Sequence, residues 1–228
     1  MIRTEFLPDP LPPEPLALAA DWLAEATRLA AQPNPNAMVL ATVGAQDEPS
    51  ARVVLCKEIV VAPGYVCFYT NYHSRKGRAL AANPRAALVM HWDHLHRQVR
   101  IEGMVVAAPA AESDTYFASR PWQRRIGAWA SEQSEPVASR AVLLDALAAT
   151  ATRFHAPVPG PEDDPEPVPP LVIPRPPHWG GYHLWASAVE LWVEGESRIH
   201  DRARWERRLA PAGGAFDAGP WQATRLQP

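Results

Sequence analysis

The chain has 228 residues, and its 22 Lys and Arg against 25 Asp and Glu leave a formal charge of −3. That balance gives no support to a nucleic-acid partner, which calls for a basic excess. With 47% hydrophobic and 21% charged residues it has the composition of a globular chain with a real core, not of a chain disordered throughout. No apolar run approaches a membrane span, and the opening MIRTEFLPDPLPPEP carries no apolar signal core. Two cysteines, Cys56 and Cys67, make no disulfide framework and fit a reducing cytoplasm.

Of the 26 prolines, five fall between Pro8 and Pro15 and ten between Pro157 and Pro177. They mark an extended arm over residues 1–13 and a late acidic insertion over about 157–177, leaving 14–228 as one domain. The insertion, with Glu162, Asp163, Asp164 and Glu166, is expected to be extended and mobile.

Past the arm, Leu16, Ala19, Ala20, Leu23, Ala26 and Ala30 give a helical apolar face that Pro33 and Pro35 stop. The period then changes to two. Met38–Val43 and Ser50–Lys57 read as strands joined by a turn over Gly44–Glu48, and Tyr65–Thr70 is a third after Pro63-Gly64. A helix opens at the N-cap Ser74 and ends at Asn83-Pro84. Ala86–His91 and Gln98–Ala107 are strands. Ala110–Ser119 is a helix stopped at Arg120-Pro121, and Val137–Phe154 is another, with Val142, Leu143, Leu147 and Phe154 on one side. After the insertion come Gly181–Trp185, Ala188–Val193, the basic run His200–Arg208 and a strand near Trp221–Leu226. Antiparallel strands with hairpin spacing and a few helices predict a mainly β, α+β fold: a small barrel with helices outside. Neither GxGxxG after a strand nor GxxxxGK[ST] occurs.

Four constellations stand out. Arg52 and Lys57 bracket four apolar residues and, on one strand, face opposite ways unless the strand ends between them. Ser74-Arg75-Lys76 opens a helix after Tyr69-Thr70, where free amides and two cations suit a phosphate. Tyr116 and Arg120 are one helical turn apart, suited to phosphate or carboxylate, with Arg124 and Arg125 adding charge. Arg198, His200 and Arg202 alternate and on a strand share a face, which is costly without an anion. From spacing alone each also reads as solvated surface charge. His91, His94 and His96 flank Trp92, but no thiolate or spaced carboxylate completes a metal site, and none is assigned.

These segments, with Asn36-Ala-Met-Val-Leu-Ala-Thr42, Ser119-Arg-Pro121, Ile126-Gly-Ala-Trp129, Trp179-Gly-Gly181, Arg198-Ile-His-Asp-Arg202 and Arg225-Leu-Gln-Pro228, resemble in order the pyridoxamine 5′-phosphate oxidase family. The resemblance implies a split β-barrel homodimer with FMN at the subunit interface. It carries flavin contacts onto Arg52, Val53, Val54, Leu55, Cys56, Lys57, Tyr69, Thr70, Arg75, Lys76, Gln98, Gln133, Ser134, Trp192 and Arg202. Substrate contacts fall on Lys57, Tyr116, Arg120, Arg198 and His200, with Arg124 counted among them by its position and Arg198 and His200 nearest the chemistry. The implied reaction takes pyridoxamine or pyridoxine 5′-phosphate to pyridoxal 5′-phosphate, with hydride passing from C4′ to the flavin and O₂ giving H₂O₂. Two alternatives within the resemblance are an oxidase of another planar substrate, as in phenazine biosynthesis, and a non-catalytic flavin-binding split barrel. Arg124 stands where the family usually has a small residue, often Ser, that helps hold the substrate phosphate, and Arg125 where it has Gln.

Overall fold

The computed structural model describes residues 6–159 and 171–228. The chain divides into two compact units. One comprises Met1–Phe68, Ala79–Val106 and Tyr182–Pro228, and the other Tyr69–Arg78 and Ala107–Gly181. Among the described residues there are five α-helices and eleven strands, so the class is mainly β, α+β. No helix among them is long and apolar enough to cross a membrane.

In the first unit, α1 (Pro15–Leu29) starts where Glu14 accepts a hydrogen bond from the Leu16 amide and Pro15 sets the first turn. It ends at Ala30, which is left-handed at φ 48°. Its buried face is Leu16, Ala19, Trp22 and Ala26. The expected stripe is therefore rotated: Trp22 is buried, Leu23 is only partly covered and Ala30 is exposed.

The main sheet runs β11-β8-β7-β6-β5-β1-β2, with β3 paired to β4 and β4 to β7. The hairpin β1 (Ala37–Val43) and β2 (Pro49–Leu55) is joined by the expected turn, in register Leu40↔Arg52. β3 (Glu58–Val60) is a short strand beyond it and pairs with β4 (Tyr65–Asn71). β5 (Arg85–Trp92) and β6 (Arg97–Ala107) are antiparallel, and β6 alternates between buried and half-buried residues up to Val106, with Ala107 exposed. β7 (Trp179–Val193) is one continuous strand where two segments were expected. It is buried on both faces for most of its length, so its sequence shows no alternation to follow. β8 (Asp201–Glu206) and β11 (Gln222–Leu226) complete the sheet, and β9 (Leu209–Ala212) and β10 (Ala215–Ala218) form a separate hairpin.

The arm is docked on this unit. Leu7 is buried, its amide donates to Asp201 Oδ2 at 2.8 Å, and Pro12 O accepts from the indole of the buried Trp205.

The second unit carries α3 (Ala110–Ser119), α4 (Trp122–Ala130) and α5 (Arg140–Arg153), and the start of α2 (Arg75–Ala82). Its core is Phe117, Ile126, Ala151, Ile173 and Trp179. Of the expected face only Leu147 on α5 and Phe154, which caps its C-terminal end, reach that core, while Val142 and Leu143 are exposed. Residues 160–170 of the Pro-rich insertion lie outside the described residues. The rest of its C-terminal end is held, against the expectation of mobility. Ile173 is buried in the core, Pro174 O accepts from Trp129 Nε1 at 2.7 Å, and Arg175 bonds Asp114 and Trp179 O. One isoleucine among the prolines supplies the apolar anchor that composition alone conceals.

Candidate active site

Two of the four constellations lie in the second unit. At the end of β4 the chain turns over residues 72–74 into α2. Ser74 Oγ donates to Asn71 O at 2.7 Å and accepts from the Gly77 amide at 3.3 Å, so it caps the helix as expected. Gly77 is needed here, since a Cβ would stand 2.0 Å from Tyr72 O. Lys76 is only 8% exposed. Its Nζ donates to Ser74 Oγ at 3.1 Å and to Gln133 Oε1 at 2.8 Å, and Thr70 Oγ1 meets the same Gln133 oxygen at 3.4 Å. Asn71 Nδ2 reaches Ser131 O, and Arg78 bridges Glu135 at 2.6 Å. The exposed loop bearing Gln133 and Ser134 is thus tied to the β4–α2 corner, and Ser134 takes a left-handed φ of 77°. A cavity of about 380 Å³ opens beside Gln133, lined also by Asn71, Arg78, Trp129 and His178. A buried ammonium, a helix N-terminus and the exposed Arg75 in one corner make a donor set of the kind that suits a phosphate.

The second cluster is aromatic and cationic. Tyr69 stacks on Tyr116 at 3.9 Å between ring centroids, and both lie nearly parallel to Trp179. The Arg120 guanidinium sits 4.7 Å from the Trp179 centroid and 5.6 Å from that of Phe117. Tyr116 and Arg120 therefore share one aromatic platform. They do not do so as a continuous helical face, because α3 ends at Ser119 and Arg120 is already extended at φ −74°, ψ 147°. Burial weakens the hold of Arg120 on its proton; Tyr116 opposes the effect and the neighbouring Arg124 and Arg125 add to it. Arg120 Nη1 is a buried donor with no hydrogen-bond partner. Such an atom fits an incoming anion.

The other two constellations lie in the first unit. Arg52 donates to Leu40 O, Thr42 Oγ1 and Ser50 Oγ, all on the β1–β2 hairpin. Val53 is 65% exposed, Val54 and Leu55 are half-buried and Cys56 is buried. Burial pushes the Cys56 thiol up to about 12, so it is a core residue and not a nucleophile. Because β2 ends at Leu55, Lys57 lies beyond the strand and is exposed, its amide bonded to Cys67 O. Gln98 is half-buried on β6 opposite His91, and Trp192 on β7 pairs with Arg202 on β8.

Arg202 donates twice to Glu190 Oε1, at 3.2 and 2.8 Å, and once to Gln227 O. Glu190 is 3% exposed, and its other oxygen accepts from Arg100 at 3.2 Å. The expectation that Arg198, His200 and Arg202 share a strand face is corrected. Only Arg202 is in a strand. Arg198 closes a short 3₁₀ turn with Ser197 and Arg198 both at positive φ (54° and 65°), and His200 precedes β8. Two successive left-handed non-glycine residues hold local strain, and they present Arg198 to solvent. His200 packs against Trp192 at 4.7 Å, and its Nδ1 accepts from the Gly195 amide, leaving Nε2 as the protonated nitrogen of the neutral ring.

Sequence reasoning missed Trp179 as the platform beneath Arg120, Glu190 as the partner of Arg202, and the whole of α4. Pro121 reads as a stop after α3, yet it is the residue from which α4 starts. The His91–His96 stretch resolves into strand and turn, with His96 Nδ1 bonded to Glu194 at 2.5 Å.

Residues 25–154 match the family model described as pyridoxamine 5′-phosphate oxidase, and residues 179–228 match that of the pyridoxine 5′-phosphate oxidase C-terminal dimerisation region. A pyridoxine/pyridoxamine 5′-phosphate oxidase from Burkholderia cenocepacia is 48% identical over 217 residues, 95% of this chain and 90% of the relative. One from Chromobacterium violaceum is 44% identical over 227 residues, 99% of this chain and 94% of the relative. Among solved structures, PhzG from Burkholderia lata 383, in complex with tetrahydrophenazine-1-carboxylic acid, has a TM-score of 0.78 at 29% identity, covering 96% of this chain and 95% of its own. A pyridoxamine 5′-phosphate oxidase-related, FMN-binding protein from Nostoc punctiforme shares the fold at a TM-score of 0.64 and 15% identity, covering 94% of this chain and 97% of its own. With these matches spanning nearly its whole length, the chain belongs to the pyridoxamine 5′-phosphate oxidase family.

Proposed function

We propose that the protein is an FMN-dependent oxidase, a split-barrel homodimer that converts pyridoxamine 5′-phosphate and pyridoxine 5′-phosphate to pyridoxal 5′-phosphate. The observation that supports this reading is the presence, within the second unit, of two distinct donor clusters suited to anions. One is the Ser74–Lys76 corner with Gln133, and the other is Arg120 on its aromatic platform. One suits the phosphate of FMN and the other the phosphate of the substrate. A protein that bound flavin alone would need only the first.

The residues fit these roles. Arg75, Lys76, Gln133 and Ser134 would hold the flavin phosphate, with Tyr69 and Thr70 alongside. Lys76 is already desolvated and fixed, so little ordering entropy is lost when an anion arrives. In the first unit, Arg52 to Lys57, Gln98, Trp192 and Arg202 are the remaining flavin positions, and Glu190 fixes the Arg202 guanidinium. FMN, when bound, supplies the redox chemistry: two electrons leave the CH–NH₂ or CH–OH carbon and reduce O₂ to H₂O₂. For the amine, water replaces the nitrogen, which departs as ammonium, so amine, O₂ and water give aldehyde, ammonium and peroxide. Lys57, Tyr116, Arg120 and Arg124 would grip the substrate phosphate and orient the ring. Arg198 and His200 would cover its reacting side, with His200 Nε2 able to hold a proton there.

The dimerisation-region match supports a homodimer. The likeness to PhzG favours a second reading, oxidation of a planar substrate with no phosphate. Turnover separates the two. The purified, FMN-loaded protein is expected to consume O₂ with pyridoxamine 5′-phosphate and to lose most of that activity with pyridoxamine. Equal activity on both, or on neither while a tetrahydrophenazine carboxylate is oxidised, would replace the first reading with the second.

A further inference from the structure

Among the described residues, five buried side-chain nitrogen or oxygen atoms have no hydrogen-bond partner: His94 Nε2, Arg120 Nη1, Trp122 Nε1, Arg125 Nε and Trp185 Nε1. Three of the five fall within six residues at the α3–α4 junction, all in the second unit. Folded proteins keep few such atoms, because a buried N–H that has lost water and gained nothing is destabilising. Three such donors within six residues are available to an acceptor.

Their placement follows from the backbone. Pro121 begins α4, its carbonyl accepting from the Arg124 and Arg125 amides at 3.0 and 3.2 Å. Trp122 and Arg125 are then three residues apart on one helical face. Arg124, one position earlier, is turned to solvent, whereas Arg125 is partly buried. Trp122 packs on the same core cluster that contains Trp179, over which Arg120 lies. Arg124 and Arg125 both raise the positive potential felt by Arg120, and no carboxylate is paired with Arg120 or Arg125 among the described ion pairs.

We propose that Arg125 is a specificity-determining residue of the substrate cradle, adding a second partly buried cation beside Arg120 so that the site selects doubly charged phosphate monoesters. The inference rests on the reading that Arg120 and Tyr116 hold the substrate phosphate. A phosphate dianion has three terminal oxygens and no proton to donate, so it accepts from several N–H groups at once. A carboxylate has two oxygens and a single charge.

The test is equilibrium dialysis of the FMN-loaded protein with pyridoxal 5′-phosphate and, in parallel, with pyridoxal. Arg125→Gln is expected to weaken pyridoxal 5′-phosphate about tenfold, which is ~1.4 kcal/mol. It should leave pyridoxal and FMN binding within twofold and the melting temperature unchanged. Arg125→Lys should recover most of the loss. Affinity in the parent protein should rise as pH passes upward through the second phosphate ionisation, near ~6, and that rise should shrink in Arg125→Gln. Arg125→Met, which keeps the aliphatic stem, gives the same readout should glutamine disturb folding. If Arg125→Gln and Arg125→Met bind pyridoxal 5′-phosphate as the parent does, or weaken pyridoxal equally, the assignment is wrong. Arg120→Ala separates the two levels. A silent Arg120→Ala overturns the reading of the site itself, whereas loss in Arg120→Ala with a silent Arg125→Gln overturns only the role of Arg125.

Discussion

Replacing Glu190 tests whether Arg202, proposed above as a flavin contact, is held by a buried carboxylate. Glu190 is 3% exposed and accepts from Arg202 at 2.8 and 3.2 Å and from Arg100 at 3.2 Å. Glu190→Ala would leave Arg202 without its carboxylate and Arg100 with Glu102 as its remaining counter-charge. Removing one partner of a buried ion pair costs about 3–5 kcal/mol. Arg202 and Arg100 keep 25% and 39% of their side-chain surface. Both can turn toward water, which sets the expectation at about 2–3 kcal/mol. At roughly 2–4 °C per kcal/mol for a chain of this size, melting should fall by about 4–12 °C. Glu190→Gln keeps the shape and one acceptor oxygen and should lose about half as much. Urea unfolding at fixed protein concentration, with and without FMN, measures both effects. A cycle with Arg202→Ala should show a coupling of about 1–3 kcal/mol. The FMN dissociation constant should rise in Glu190→Ala, because Arg202 is no longer fixed. A Glu190→Ala protein within ~0.5 kcal/mol of the parent, or a coupling of zero, would refute the reasoning.

Further outcomes follow from the same geometry. The Arg204 hydrogen bonds, with help from Arg100, hold the Glu102 carboxyl below the usual range against the opposing effect of burial. Its stabilising contribution is therefore present above the unfolded carboxylate pKa, near ~4.3, and is lost as pH falls through the lower folded value. Urea midpoints measured on acidification should fall less steeply in Glu102→Gln than in the parent, and an identical acid limb would count against the pairing. Cys56 and Cys67 are 1% and 3% exposed, and Cys56 is a poor acid. A thiol reagent at neutral pH should label neither in the folded protein and both after unfolding; rapid labelling of the native state would contradict that burial. Trp179→Ala removes the surface beneath Arg120 and beside Tyr116. It is expected to raise the KM for pyridoxamine 5′-phosphate by about tenfold or more, the scale of a cation–π contact of ~1–2 kcal/mol, and an unchanged KM would remove Trp179 from the site.

The strands with clear alternation, such as β6, and the capped helices were legible because local chemistry and tertiary environment agree there. β7 was not, because a strand buried on both faces loses its period. α4 was hidden behind Pro121, which starts a helix as readily as it ends one. The capped helix start at Ser74–Lys76 could be read from residue types alone, since a cap followed by two cations is a local motif. The remainder of the site was not local. Glu190 lies twelve residues from Arg202 in the chain, and Trp179 lies across the Pro-rich segment from Arg120. The shared face expected of Arg198, His200 and Arg202 failed because the chain enters β8 only at Asp201, after a left-handed turn that nothing in the residue types announces.

Titration of the purified protein with FMN, followed by anaerobic addition of pyridoxamine 5′-phosphate, tests the central claim most directly. The expected result is saturable binding of one FMN per chain, bleaching of the flavin absorbance by the substrate, and recovery with release of H₂O₂ when air is admitted. A folded protein that binds no FMN, or binds it and stays unbleached, would contradict the account.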